Sequence, residues 1–278
     1  MSKKVVVTGA GGYIGRHVVS SLLELGHEVY AVDRRTDGID PRAQILNVEI
    51  FSGAEDIFDQ MGCPDVVIHM AWRDGFKHNS SAHIEDLPSH VKFMQNLYRG
   101  GLQTFSTMGT MHEVGYWEGA IDENTPCNPE SPYGIVKNAL RGFCQLEAKQ
   151  NQANLLWLRA YYIVGDDLFG NSIFSKLLLA AQEGKKHFPF TQGKNLYDFI
   201  SVTELGKQIA TASTQTEVTG VINVCSGQPV SLAERVETYI KDNSLDITLD
   251  YGAFPDRPYD SPGEWGDSTK ITAIMAAK

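Results

Sequence analysis

The chain has 278 residues, 42% hydrophobic and 21% charged, with a formal net charge of -10, which fits a folded globular protein with a sizeable core and excludes a fibrous or disordered one. No basic run exceeds Arg34-Arg35 or Lys185-Lys186, so a nucleic-acid surface, which needs clustered cations to displace counterions, is not expected. Cys63, Cys127, Cys144 and Cys225 form no CxxC and no cluster with histidine, so neither a metal site nor a disulfide framework is expected; no apolar run suits a signal peptide or a membrane span, which points to the cytosol.

Through the first 160 residues, apolar runs alternate with helix-period stretches, the pattern of βαβ units and a parallel sheet. "KVVVTG" reads as a buried strand, and "YIGRHVVSSLLELG" as a helix with Ile14, Val18, Leu22 and Leu25 near helical spacing and Gly26 to stop it. "HEVYAVD" is a second strand, "AQILNVE" a weak third and "PDVVIHMA" a strong fourth; a helix over about 84–98 leads to a fifth strand over 102–107. Pro126, Pro129 and Pro132 then forbid helix or central strand until Ser131 caps a helix with Pro132 as its first residue. "ANLLWLRAYYIVG" reads as the sixth strand. Beyond Gly165 the order is irregular, with helices "SIFSKLLLAAQEG", "ELGKQIATAS" and "SLAERVETYIK" and strands "YDFISV" and "GVINVCSG". The expectation is a doubly wound, Rossmann-like α/β domain over 1–165 and a smaller C-terminal substrate lobe over 166–278, with segments near 196–225 returning to the first sheet.

Gly9, Gly12 and Gly15 form GxxGxxG between the first strand and its helix. There the backbone can approach a pyrophosphate, and the helix start at Tyr13 and Ile14 offers free N–H groups. Asp33, ending the second strand, suits a ribose 2′-hydroxyl and so favours NAD, whereas Arg34 and Arg35 would suit the 2′-phosphate of NADP. Tyr133 and Lys137 lie one turn apart on one helix face; an ammonium beside a phenol favours the phenolate and would lower the tyrosine pKa.

Taken together, "TGAGGYIG", Asp33, "VVIHMA", "FSTM", "DENTPCNPESPYGIVK", "LRAYYIVG", "YDFISVTELG" and "NVCSGQPVSLAE" resemble the extended short-chain dehydrogenase/reductases that act on nucleotide sugars, over nearly the whole chain. The resemblance implies Tyr133 as acid/base, Lys137 as its partner and holder of the nicotinamide ribose, Met70 and Ala71 beside the cofactor, and a homodimer. It also implies a hydroxyl at the end of the fifth strand, assigned to Thr107 with Ser106 behind it. Departures are Trp72, where a small residue is usual, His90 in place of an asparagine opening the next helix, and Tyr162 in place of an asparagine after the sixth strand. Trp72 therefore stands near the cofactor, and Tyr162 can line the sugar pocket or pack in the interior.

His112 and Glu113 follow the fifth strand and are expected to face substrate, against the plain alternative of solvated loop residues. Asn171 and Ser172 stand at a helix start, placed for phosphate contacts or for capping alone, and Arg257 is placed for a nucleotide diphosphate or a surface ion pair. His69, in an apolar strand, reads as a hydrogen-bonded core histidine. The resemblance implies an NAD(P)-dependent oxidoreductase interconverting 4-keto and 4-hydroxy groups of a nucleotide-activated 6-deoxyhexose, most similar to the dTDP-4-keto-6-deoxyhexose reductases. A 4-epimerase needs the same Tyr and Lys. A 4,6-dehydratase is disfavoured because Met108 and Gly109 supply no acid/base pair, and a non-catalytic NAD(P) sensor could dispense with Tyr133 and Lys137.

Overall fold

A computed structural model describes residues 1–165, 172–255 and 261–277. In chain order these form β1 (Lys4–Thr8), α1 (Tyr13–Glu24), β2 (Glu28–Val32), β3 (Gln44–Ile45), α2 (Ile57–Gln60), β4 (Val66–His69), α3 (Ala82–Gly100) and β5 (Thr104–Thr110). A 3-10 turn (Met111–Glu113) leads to β6 (Gly119–Ile121), α4 (Pro132–Gln150), β7 (Asn154–Ala160) and β8 (Tyr162–Val164). The remainder is α5 (Ile173–Gln182), β9 (His187–Pro189), β10 (Leu196–Ser201), α6 (Val202–Thr214), β11 (Gly220–Val224), β12 (Pro229–Ser231), α7 (Leu232–Asp242), β13 (Thr248–Asp250), β14 (Gly263–Gly266) and α8 (Thr269–Ala276). None of the described helices is long and apolar enough to cross a membrane.

Seven parallel strands make the main sheet in the order β11-β7-β5-β4-β1-β2-β3. Its central strands are near-continuous apolar runs because both faces are covered. One face carries α1, α6 and α8 over a core that includes Val5, Val7, Leu156, Leu158 and Ile209. The other carries α2, α3 and α4 over Val6, Val67, Phe93, Phe105 and Trp157. Strand order reverses between β1 and β4, and the functional groups collect outside the carboxyl ends of the strands at that switch point.

Differences from the sequence expectations fall at three places. First, β5 runs three residues past Thr107, to Thr110, with every residue buried. Second, the expected sixth strand divides: β7 stays in the main sheet, while β8 pairs with β10 beside a second sheet of order β12-β10-β14-β6. Third, of the segments expected to rejoin the main sheet only β11 does so, pairing with β7, while β10 belongs to the second sheet. That smaller sheet is knotted together by the buried Asp198 carboxylate, which accepts N–H bonds from Ser226 (2.8 Å), Gly227 (2.9 Å) and Gly266 (3.2 Å). A separate apolar cluster, including Phe174, Leu177, Val236 and Tyr239, lies beneath it.

Beneath the 3-10 turn lies a buried ion pair. Glu113 and Arg159 both have side chains 0% exposed, and Arg159 Nε donates to Glu113 Oε1 at 2.7 Å. Trp157 Nε1 donates to the same carboxylate at 2.9 Å, and a second Arg159 nitrogen donates to the Asp122 carbonyl at 2.8 Å. Gly109 makes this possible, since a Cβ there would stand 2.2 Å from Trp157 Nε1. Glu113 is therefore a core residue, and the expectation that it faces substrate is corrected. Removing one partner of such a pair strands a buried charge. Glu113→Ala is expected to cost about 3–5 kcal/mol, read as a lower denaturant midpoint in chemical unfolding.

Candidate active site

The glycine loop is shaped by close backbone approaches. Gly9 has φ +71°, and an added Cβ would lie 2.6 Å from Ala71 N; at Gly15 it would lie 2.1 Å from the Gly9 carbonyl. Gly11, not singled out in the sequence, has the Arg35 carbonyl 2.0 Å from where its Cβ would be. Gly12 is the N-cap of α1 with no side-chain cap, so the first N–H groups of the helix, including those of Tyr13 and Ile14, face the loop's concavity. Ile14 packs into the core, and the Tyr13 hydroxyl reaches Gly165, where a Cβ would lie 1.8 Å from it.

Asp33 accepts the Gly11 N–H (2.9 Å) and the Arg35 N–H (3.0 Å), which fixes its carboxylate at the lip of the loop with lone pairs to spare for ribose hydroxyls. The Arg34 and Arg35 residues are exposed. Across the loop, the Thr8 carbonyl accepts Met70 N–H at 3.0 Å, and the Thr8 hydroxyl accepts those of Met70 (3.2 Å) and Ala71 (3.4 Å). These bonds hold the end of β4 against Gly9.

Tyr133 sits in the first turn of α4 because Ser131 caps that helix, its hydroxyl accepting the Gly134 N–H at 3.2 Å, and Pro132 pre-sets the turn. Gly134 lets the helix press onto the 3-10 turn, since a Cβ there would meet the His112 carbonyl at 2.3 Å. The Tyr133 N–H donates to the His78 carbonyl at 3.0 Å, and its ring stacks on the His78 ring at 5.0 Å and 10°.

Burial raises the Tyr133 pKa, and the hydroxyl that opposes part of that rise is that of Thr110. Thr107 and Ser106 are not brought to the phenol. Thr107 is buried and donates to the His69 carbonyl at 3.1 Å, while Ser106 pairs with Ser213 of α6 at 2.7 Å. The hydroxyl that interacts with the phenol thus lies three positions beyond Thr107, at the end of a β5 that continues three residues further than its sequence suggested.

Lys137 is 3% exposed. Its Nζ donates to the Met108 carbonyl at 2.9 Å, lies 3.6 Å above the Trp72 ring centre and 5.9 Å from that of Tyr133. Burial brings the Lys137 ammonium down to about 7, opposed by the charge of Glu113. The Tyr133 phenol is not lowered as the one-turn spacing suggested. Burial pushes it up to about 12, the Thr110 hydrogen bond offsets part of that, and Glu113 adds a little to the rise.

A cleft of about 220 Å³ opens beside the His78 ring that stacks on Tyr133, lined in part by His78, His112, Tyr162, Tyr197, Glu130 and Glu264. His112 and Tyr162, both expected toward substrate, are among the residues that line this cleft. Burial holds the His112 imidazole down at about 4, helped by His78, whose ring is 4.4 Å away. Tyr162 packs on Tyr197 at 4.5 Å. Ser172 caps α5, accepting the Ser175 N–H at 3.2 Å, and Asn171 and Arg257 lie outside the described residues. His69 is hydrogen-bonded in the core to Thr8 and His90.

A glycine-loop dinucleotide fold with a Tyr-x-x-x-Lys pair at the strand ends defines a short-chain dehydrogenase/reductase of the extended type. More narrowly, the chain belongs to the NAD dependent epimerase/dehydratase family, whose model matches residues 5–225. It is 42% identical over 271 residues to a dTDP-6-deoxy-L-talose 4-dehydrogenase (NAD(+)) of Aggregatibacter actinomycetemcomitans, covering 94% of this chain and 98% of that protein. It is 24% identical to a UDP-glucose 4-epimerase of Lactobacillus helveticus, covering 99% of this chain and 92% of the relative. The fold also matches the crystal structure of UDP-glucose 4-epimerase of Thermotoga maritima with UDP-glucose, with TM-score 0.81, 21% identity, and coverage of 97% of this chain and 91% of that one.

If Asp33 selects against a 2′-phosphate, Asp33→Ser should raise kcat/KM with NADPH relative to NADH by about tenfold or more, measured by nicotinamide absorbance at fixed substrate.

Proposed function

We propose that the protein interconverts the 4-keto and 4-hydroxy groups of a nucleotide-activated 6-deoxyhexose, with NAD as hydride carrier and the 4-keto sugar of a thymidine diphosphate as preferred partner. The observation that carries this is that Tyr133, Thr110 and Lys137 come together at the carboxyl end of β5, and that the His78 ring stacked on Tyr133 lines the cleft. The 42% identity to the deoxytalose 4-dehydrogenase supports the choice of sugar.

The residues present suit the cofactor. The loop from Gly9 to Gly15 admits a diphosphate where side chains would clash, Asp33 is oriented for the adenosine ribose, and Lys137 for the nicotinamide ribose. Bound NAD supplies or accepts the hydride. Tyr133, with its phenol near 12, is protonated at neutral pH and so is a ready proton donor to the sugar's O4 as that oxygen gains charge. Thr110 hydrogen-bonds the phenol and stands where it can share the same oxygen. His112 and Tyr162 line the sugar side of the cleft, with Asn171, Ser172 and Arg257 proposed toward the nucleotide. In this scheme residues 1–165, joined by α6, β11 and α8, form the cofactor domain, and the rest of 166–278 the substrate lobe.

Several of the relatives are named 4-epimerases, and a 4-epimerase would use the same Tyr133 and Lys137. The two differ in cofactor handling: an epimerase retains NAD through purification, whereas the proposed enzyme exchanges it with the medium. The deciding experiment incubates the protein with dTDP-, GDP- and UDP-4-keto-6-deoxyhexoses and NADH. Stoichiometric NADH oxidation with a 4-hydroxy product is expected, and none with any of them would sink the proposal. Tyr133→Phe should lower kcat by about 10²–10⁴ and Thr110→Val by about tenfold or more, with Thr107→Val affecting stability instead.

We also propose a cytosolic homodimer. Ile135, Phe143 and Leu146 are 53%, 43% and 52% exposed along one stripe of α4, beside α3 with Ile84 63% exposed. Light scattering should give twice the chain mass for the natural protein and the single mass for Ile135→Glu/Phe143→Glu.

A further inference from the structure

Trp72 departs from the small residue usual at the end of the fourth strand, and the structure builds a frame around it. Its indole lies face to face with His90 (4.4 Å, 20°) and is flanked by His83 (6.0 Å, 22°), while Lys137 Nζ stands 3.6 Å above the Trp72 ring centre. The frame is directional. The Thr8 hydroxyl accepts two backbone N–H groups at the end of β4, so it donates to His69 Nδ1 at 2.8 Å, and His69 Nε2–H in turn donates to His90 Nδ1 at 2.8 Å. On the flank, His83 Nε2–H donates to the Lys77 carbonyl at 3.0 Å, which leaves Nδ1 to accept the Trp72 indole N–H at 3.1 Å. Three histidines therefore have assigned tautomers, and together they fix the plane and rotation of one indole.

We propose that Trp72 is a positioning residue that holds the Lys137 ammonium through its ring face, with the His69–His90 pair and His83 acting only to fix that ring. The proposal rests on the role given to Lys137 above. Two anchors then define the position of Nζ: the Met108 carbonyl at 2.9 Å and the Trp72 face at 3.6 Å. A ring quadrupole attracts a cation more strongly when water is excluded, and Lys137 is 3% exposed.

The groups facing the ammonium are Trp72, His69 and His90 from the β4–α3 side, the Met108 carbonyl from β5, Glu113 from the 3-10 turn, and Tyr133 and Cys144 from its own helix. Burial holds His90 at about 3 and His69 well below its ordinary value, and brings the Lys137 ammonium down to about 7. The ammonium is present below that pH and is lost as pH rises through it.

The test replaces Trp72 alone with mono-, di- and trifluorotryptophan, which withdraws density from the ring face at nearly constant shape. The Lys137 titration is followed by NMR in protein labelled with 15N at lysine, without substrate or cofactor. Each fluorine should move the transition downward, by about one unit over the series. In turnover assays the alkaline fall in kcat/KM should move with it, Trp72→Leu should lower kcat about tenfold, and Trp72→Phe should recover much of the loss. A titration that does not respond to fluorination, or a Trp72→Leu enzyme with undiminished kcat, would overturn the proposal. Because the titration needs no turnover, it stands or falls separately from the identity of the sugar.

Discussion

The site depends on the buried contact between Glu113 and Arg159. The 3-10 turn carrying His112 begins directly after Thr110, and its last residue is pinned into the interior by Arg159 and by the Trp157 indole. Both donors come from β7, the neighbour of β5, so the turn is referenced to the sheet and not to a surface loop. Arg159 also reaches the Asp122 carbonyl, which ties the start of the proline-rich connection to the same point. The hydroxyl at Thr110, the imidazole at His112 and the dock for Gly134 beneath Tyr133 all inherit their positions from that one ion pair.

A second constraint is the burial of Lys137. Moving its ionisation from 10.5 to about 7 corresponds to roughly 5 kcal/mol of disfavoured charge. That figure is what remains after the charge of Glu113 has opposed the burial. The lysine is thus poised near neutrality, and the protein keeps the tyrosine beside it protonated. A pair treated from spacing alone as an ammonium lowering a phenol is, in three dimensions, two groups each governed first by desolvation.

The main sheet, the glycine loop, Asp33 and the Ser131-Pro132 helix start were legible in the sequence because each is a local pattern: an apolar run, a spaced glycine trio, a cap. The reach of β5 was not, since all seven of its residues are buried and no alternation of apolar and polar positions marks its end. That single boundary is why the hydroxyl we propose at the phenol is Thr110 and not Thr107. Glu113 was opaque for a different reason: its partner Arg159 is 46 positions away, so nothing nearby in the sequence distinguishes a core carboxylate from a solvated one. His78 comes from a segment without periodicity or motif, and the "YDFISV" pattern around Tyr197 says nothing of its partners, so only folding brings the two to one cleft.

The return of β11 to the main sheet has a consequence for anyone wishing to exchange sugar specificity between relatives. The edge of the cofactor sheet is completed by residues 220–224, and α6, just before them, packs against α1. The sugar-facing portion is therefore not a terminal cassette. A graft made by one cut after residue 165 would leave β7 with a bare edge and α1 without its neighbour; a working chimera needs several crossovers that respect the weave.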